Sequence, residues 1–249
     1  MARLWDKGLP LDARVLRFTA GEDYLLDARL VPYDVRASIA HARMLNSRGL
    51  LEDSDCEAIA RGLEELAAEH ADGRWSISLE DEDVHGALEA RLSERIGAAG
   101  GRVHLGRSRN DQVLAAVRLY LRDAVEALCA RTREVSAALE KIAAEQGGIE
   151  LPGYTHMQPA MPSSVAMWAL GFAAMLEDGR AGLERTHARI NVNPLGSAAG
   201  YGVPGLPLDR EATRAALGFD AVQEPVTAVQ LSRGRAEASI VFELSLILG

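Results

Sequence analysis

One uninterrupted helical pattern, from about Asn110 to Gln146, constrains the fold of this chain more than any other feature. Its apolar residues recur every three or four positions without a Gly or Pro: Val113, Val117, Tyr120, Ala124, Leu128, Val135, Leu139 and Ile142. The pattern predicts a helix of about 35 residues, roughly three times the average length. Helices this long leave apolar stripes uncovered in a monomer of 249 residues, so we expect a homo-oligomer whose subunits complete the bundle.

Similar spacing predicts helices along nearly all of the rest of the chain. Asp34 can cap a helix that ends at Gly49, and Ser54 with Glu57 matches a capping box at the start of the next one. Further helices are predicted over Val84 to Ile96, Pro162 to Ile190 and Arg235 to Leu248. No strand is convincing, apart from a short extended piece near residues 75–77. The predicted fold class is therefore all-α, a bundle of long helices.

Composition argues against several kinds of partner. The 27 Lys and Arg residues fall short of the 36 Asp and Glu residues, and the net charge of −9 repels nucleic acid and anionic membranes. The longest apolar run, residues 165–176, is too short for the roughly 20 residues of a membrane span.

Residues 1–10 contain Arg3 and Lys7 without an apolar stretch, so we expect no secretory signal and a cytoplasmic protein. Cys56 and Cys129 lack CxxC spacing and fit reduced, buried thiols.

The first of three polar, glycine-rich stretches, Gly100 to Gln112, leads directly into the long helix. Ser108, Arg109 and Asn110 place a hydroxyl, a guanidinium and an amide at the N-terminus of that helix. Free backbone N–H groups and the helix dipole favour an anion there, so the stretch can receive a carboxylate or a phosphate. The spacing alone slightly favours a simpler interpretation, in which Ser108 or Asn110 caps the helix and the arginines are solvated.

The other polar stretches also carry candidate residues. Leu151 to Pro162 offers a hydroxyl at Thr155 and an acid or base at His156, although a lone loop histidine is more often structural. Asn191 to Gly205 permits close backbone approach, or is only a tight connection. His85 has no HExxH or cysteine partner, so we expect no metal site. The sequence also lacks phosphate-loop, dinucleotide-binding and serine-hydrolase motifs.

Four motifs together carry a resemblance to a known family: EDVH at Glu82 to His85, GRSRNDQ at Gly106 to Gln112, GYTHMQPAMP at Gly153 to Pro162 and NPLGSAAGYG at Asn193 to Gly202. In this combination the chain resembles the argininosuccinate lyases of the fumarase/aspartase superfamily over nearly its whole length. GRSRNDQ followed by GYTH at this distance is highly specific within the superfamily. The chain departs from the common family pattern at Met157, Pro159 and Met161, and in QLSRGR at Gln230 to Arg235.

The resemblance implies a reversible β-elimination of argininosuccinate to L-arginine and fumarate, the last step of arginine biosynthesis, without a metal or an organic cofactor. It also implies a homotetramer of mostly helical subunits, with active sites assembled from loops of three subunits. We expect residues 1–105 to form an N-terminal helical domain and residues 106–249 to form a central long-helix bundle domain.

The motif matches imply roles for individual residues. His156 is expected to be catalytic, as the acid, the base or part of both systems. The residues expected to bind the substrate are Ser108, Arg109, Asn110, Thr155 and His85. Asn193 to Ser197 is expected to shape the pocket from the third polar stretch.

A third hallmark of the family, a GSSxMPxKxNP loop that supplies a serine and a lysine, does not occur in this sequence. We therefore expect the N-terminal part of a subunit, truncated at its C-terminal end and incomplete as an enzyme on its own. Two alternatives stay open. One is another superfamily lyase, such as adenylosuccinate lyase, against which GRSRNDQ argues. The other is a non-catalytic helical protein comparable to the crystallins recruited from this family.

Overall fold

The computed structural model describes residues 12–249, so the expectation about a secretory signal in residues 1–10 lies outside the described residues. The described chain is mostly helical, which confirms the predicted class. Its α-helices are α1 Ala13–Ala20, α2 Asp23–Leu26, α3 Val31–Ser47, α4 Asp53–Ala71, α5 Val84–Ile96, α6 Ala98–Gly101, α7 Arg109–Gln146, α8 Val165–Ile190, α9 Arg210–Leu217, α10 Thr227–Leu231 and α11 Arg235–Leu248. Over residues 12–249, no helix combines the length and apolar character that a membrane span needs.

The longest helix, α7, confirms the central prediction from the sequence. It has 38 residues and is therefore about 57 Å long. The predicted bounds of α5 and α11 also agree with the structure, and Gly97 ends α5 as expected. Helical periodicity alone is thus enough to locate the long elements of this chain.

The starts of α3 and α4 differ from the sequence prediction. α3 begins at Val31 with Pro32 in its first turn, where a residue without an N–H group is tolerated. Asp34 therefore lies inside the helix and does not cap it, and its side chain is buried. α4 starts one residue before Ser54 and has no side-chain cap.

A β-hairpin precedes α8, where the sequence predicts no strand. Strands β1 (Glu150–Thr155) and β2 (Gln158–Ser164) pair antiparallel, and Pro162 lies in β2 and not in a helical first turn. The two-residue turn consists of His156 and Met157, both left-handed, with φ of 51° and 63°. Hairpin turns of this kind usually contain Asn, Asp or Gly, so nothing in the composition of this turn indicates a hairpin.

The described chain packs as two compact units. Unit 1 comprises the described residues up to Tyr120 together with Asn191–Arg233, and unit 2 comprises Leu121–Ile190 together with Gly234–Gly249. α7 begins in unit 1 and continues in unit 2. The expected domain boundary between residues 105 and 106 stays a prediction.

The core of unit 1 forms where α3, α4 and α5 pack against one another. Leu45, Leu63 and Leu88, one from each helix, are almost completely buried there, and each such side chain contributes about 1.5–3 kcal/mol. A second buried cluster contains Leu119 and Phe219. This unit also holds a short parallel pair of strands, β3 (Val192–Asn193) and β4 (Ala221–Val222).

The core of unit 2 lies between α8, α11 and the part of α7 that starts at Leu121. Val125, Leu183 and Ile240 are buried in it. α8 and α11 approach each other closely at Gly179, where an added Cβ would lie 2.5 Å from Cγ1 of Ile247. A larger residue at position 179 would therefore force Ile247 to shift.

Candidate functional site

The polar turn at the start of α7 is built around the hydroxyl of Ser108. Its oxygen accepts hydrogen bonds from the backbone N–H of Asn110 at 3.3 Å and from Nδ2 of the same residue at 3.2 Å. Ser108 therefore caps α7, which confirms one part of the simpler interpretation. Capping uses the lone pairs of the hydroxyl and leaves its proton available to an acceptor such as a carboxylate.

Arg109 is held in place by a carboxylate and is not solvated. Nη1 and Nη2 lie 3.2 and 3.1 Å from the two carboxylate oxygens of Glu89, a two-pronged pairing. His104 Nδ1 lies 3.1 Å from the same carboxylate. Burial raises the pKa of Glu89, but His104 and Arg109 together hold it below the usual value. Glu89 is therefore ionised at neutral pH and balances the charge of Arg109.

His85 lies beside the buried carboxylate of Asp34, for which the sequence predicts only a capping role. Nδ1 of His85 is 3.2 Å from Oδ1 of Asp34, and both side chains are almost fully buried. Gln112 joins this pair to Arg109, because its Nε2 donates to Asp34 at 3.3 Å and its Oε1 accepts from Arg109 at 2.8 Å. Burial raises the pKa of Asp34, but the charges and hydrogen bonds around it bring the net value below normal.

A spacing in the sequence could have identified this carboxylate. Asp34, Ser38 and His41 recur at i, i+4 and i+7 in α3 and therefore share one face of the helix. All three are buried polar residues. Such a stripe on a helix that packs in a core indicates a polar network and not a cap.

Two residues of this stripe anchor the loop that leads into α7. Oγ of Ser38 accepts from Nη1 of Arg107 at 2.9 Å, and Nε2 of His41 lies 2.8 Å from the carbonyl oxygen of Leu105. Burial lowers the pKa of Arg107. Burial, reinforced by the charge of Arg107, also lowers the pKa of His41 to about 3. His41 is therefore neutral and donates its Nε2 proton to the loop.

Asp111 connects the same turn to the third polar stretch. Its Oδ1 accepts from the backbone N–H of Ser108 at 3.0 Å. Its Oδ2 accepts from Gly196 at 3.1 Å and from Ala198 at 2.8 Å. Burial raises the pKa of Asp111, although the three N–H groups act in the opposite direction. The loop at Asn193 to Ser197 is thus fixed against the start of α7.

The residues expected from the sequence fall into two groups. In unit 1, His85, Ser108, Arg109 and Asn110 lie in one hydrogen-bonded neighbourhood, with Asp34, Glu89, Gln112 and Asp111 as additional members. In unit 2, Thr155 and His156 lie at the exposed turn of the β-hairpin. Over residues 12–249, no three His, Cys, Asp or Glu side chains are grouped so that they could hold a metal ion.

Comparison with known proteins gives one family and consistent relatives. A family model described as lyase, Lyase_1, matches residues 11–247. The chain is 47% identical to an argininosuccinate lyase of Sorangium cellulosum (strain So ce56), over 96% of this chain and 55% of that protein. It is 40% identical to an argininosuccinate lyase of Thermotoga neapolitana, over 98% of this chain and 61% of that protein. The chain thus spans about half the length of the curated relatives it matches.

Solved structures of EDDS lyase resemble the fold. A variant with bound fumarate superposes with a TM-score of 0.79 and 28% sequence identity, covering 96% of this chain and 47% of that one. EDDS lyase in complex with formate gives the same values.

Proposed function

This chain belongs to the Lyase_1 family of lyases, and from that membership we propose that the protein is an argininosuccinate lyase, which splits argininosuccinate reversibly into L-arginine and fumarate. The observation that carries the proposal is the grouping of Ser108, Arg109 and Asn110 with His85 at the start of α7. The names of the relatives support the substrate, and a structural neighbour with bound fumarate supports the product.

The proposed reaction removes a proton from the carbon next to a carboxylate and then breaks the bond to the guanidino nitrogen. Negative charge collects on the carboxylate in the transition state, so prearranged donors around its oxygens accelerate the reaction. Ser108 and Asn110 offer such donors at a helix N-terminus, where the dipole also favours negative charge.

The proton transfers are assigned to His156, because an imidazole can act as a general acid or a general base. Thr155 adds a hydroxyl beside it. His85 is proposed as a further substrate-binding residue. The exposure of Thr155 and His156 at a hairpin turn supports the assignment, because a histidine that only stabilises the core is buried among partners.

We place the reaction at the last step of arginine biosynthesis, in the cytoplasm, and assign the protein to a homotetramer with shared active sites. The two cysteines, which are unpaired, agree with a reducing compartment. The apolar side chains exposed on α8 and α11 of unit 2 agree with further subunits.

The test is an assay of the complete gene product with argininosuccinate, followed by the absorbance of fumarate. We expect fumarate above a buffer control, and a loss of two to four orders of magnitude in kcat for His156→Ala, with the thermal melting curve retained. Fumarate from adenylosuccinate and not from argininosuccinate would assign the protein to the other lyase. No fumarate from either substrate would favour the non-catalytic alternative.

A further inference from the structure

Two guanidinium groups at the Ser108–Asn110 turn, those of Arg109 and Arg233, differ in how their charge is balanced. Arg109 is paired with both oxygens of Glu89, and one of its nitrogens also donates to Gln112. The side chains of Arg109 and Glu89 are only 23% and 18% exposed. The charge of Arg109 is therefore neutralised within the protein before any ligand arrives.

Arg233 reaches the same turn from the segment after α10, and no carboxylate of the described residues balances its positive charge. Its Nη1 donates to Oδ1 of Asn110 at 2.8 Å. Within residues 12–249, no carboxylate lies within ion-pair distance of Arg233, and its side chain is exposed.

The contact with Arg233 also fixes the direction of the hydrogen bonds in the turn. A guanidinium only donates, so Oδ1 of Asn110 must face it and Nδ2 must face Ser108. Nδ2 then donates to Oγ of Ser108. The series therefore ends at the Ser108 hydroxyl, whose proton has no acceptor among the described residues. Each residue in this chain of hydrogen bonds donates to the next, and the last donor, the Ser108 hydroxyl, still needs an acceptor. An anionic ligand can be that acceptor.

The backbone around Arg233 is held by hydrogen bonds. Oγ of the preceding Ser232 accepts from Nε2 of Gln223 at 2.9 Å and donates to the carbonyl of Val229 at 3.1 Å. Gln230 of α10 donates to the carbonyl of Ala198, in the third polar stretch, at 3.4 Å. The position of Arg233 is thus set by the loop that Asp111 ties to the start of α7.

We propose that Arg233 is a substrate-binding residue, which supplies the uncompensated positive charge for one carboxylate of the dicarboxylate part of the substrate. Ser108 and Asn110 donate to the same carboxylate, and Arg109 holds the turn in shape through Glu89 as well as lining the site. The inference rests on the proposed function and adds a specificity-determining residue to it.

The test compares three variants of the complete protein. Arg233→Gln removes the charge, Arg233→Lys retains it, and Arg235→Gln is the matched control, because Arg235 is exposed and two residues further along the chain. The measured quantities are KM and kcat for argininosuccinate, the inhibition constants of the products fumarate and L-arginine, and the melting temperature.

We expect Arg233→Gln to raise KM and the inhibition constant of fumarate about tenfold, as for the loss of a charged hydrogen bond, and to change kcat less. The inhibition constant of L-arginine should stay within twofold, a selectivity that a merely structural role would not produce. Arg233→Lys should recover most of the fumarate affinity, and Arg235→Gln should behave as wild type.

Unchanged fumarate inhibition in Arg233→Gln, or equal weakening of both products, would overturn the inference and leave the proposed function intact. If the protein does not turn over argininosuccinate, calorimetric titration with fumarate separates the two proposals. If the wild type binds fumarate and Arg233→Gln binds it more weakly, the dicarboxylate site is supported and the lyase activity is not. Absence of fumarate binding to the wild type contradicts both.

Discussion

At the scale of single residues, the candidate site is organised by polar side chains buried behind the Ser108–Asn110 turn. His41 is an example. Burial keeps its imidazole neutral, and its Nε2 donates a hydrogen bond to the carbonyl oxygen of Leu105. In the unfolded chain a histidine takes up a proton near pH 6.5, whereas the pKa of His41 in the folded protein is about 3. Between these values the unfolded state binds more protons, so stability falls as the pH falls.

We therefore expect the free energy of unfolding to decrease by as much as about 1.4 kcal/mol per pH unit below about pH 6.5 because of His41 alone. His41→Gln, whose amide can still donate to Leu105, should remove this contribution. Urea unfolding at pH 7 and pH 5 measures this contribution. Between these pH values, the free energy of unfolding should fall by about 2 kcal/mol less in the variant than in the wild type.

His187→Gln is the control for this measurement, because His187 is a partly exposed histidine of unit 2 next to Glu126. Because this variant keeps His41, it should keep the acid sensitivity that His41 contributes. If His41→Gln loses stability as steeply as the wild type, the acid sensitivity comes from other groups.

The sequence predicts which residues gather at the start of α7 better than it predicts their hydrogen-bond partners. The motifs located Ser108, Arg109 and Asn110, and the structure shows them adjoining His85 through a hydrogen-bonded network. The partners were missed because they are distant in sequence. Asp34 is 78 residues from Gln112, and no local pattern records a contact over that separation.

At the scale of elements, α8 and α11 of unit 2 pack closely against each other at Gly179. Gly179→Ala brings a Cβ against Ile247, and such overpacking costs about 1–3 kcal/mol. We expect a net loss of stability although Ala favours helices. Chemical denaturation measures this loss, and adding Ile247→Ala should make the double variant less unstable than the sum of the two single changes.

Gly171→Ala in the same helix is the matched control. An added Cβ at this position has no atom within 4 Å, so the change should stabilise the helix by about 0.5–1 kcal/mol. Equal effects at both positions would show that helix propensity, and not contact with α11, governs Gly179.

The sequence predicts the helices more successfully than the strands for a physical reason. A helix is stabilised by bonds between near neighbours, so its apolar period appears in any window of the chain. The β1–β2 hairpin depends on pairs such as Glu150 with Ser164 and on a turn of His156 and Met157 without the usual turn residues. Neither feature changes the local spacing of apolar residues, so this spacing predicts a helix that already starts at Pro162.

At the scale of the whole molecule, unit 2 exposes more large apolar side chains than scattered surface residues account for. Those on α8 are Met167, Trp168, Leu170, Phe172 and Met175, and those on α11 are Val241, Phe242, Leu246 and Leu248. A second copy of the chain offers the same apolar residues, so we propose that symmetric contact between copies covers them.

We expect the complete protein to have the mass of four subunits in light scattering. Phe172→Asp introduces a charge into the apolar set and should lower the mass to that of a smaller species. Lys141→Glu, at an exposed position of α7, should leave the mass unchanged. A monomeric wild type, or a tetramer that tolerates Phe172→Asp, would contradict an interface at this part of α8.

The carboxylate of Asp111 also has a consequence for the order of events during synthesis on the ribosome. Its partner Ala198 lies 87 residues further along the chain, which corresponds to about 4 to 17 s of translation. Until those residues emerge, the nascent chain can satisfy only the hydrogen bond to Ser108. The start of α7 therefore acquires its final shape late, after most of this sequence has left the ribosome.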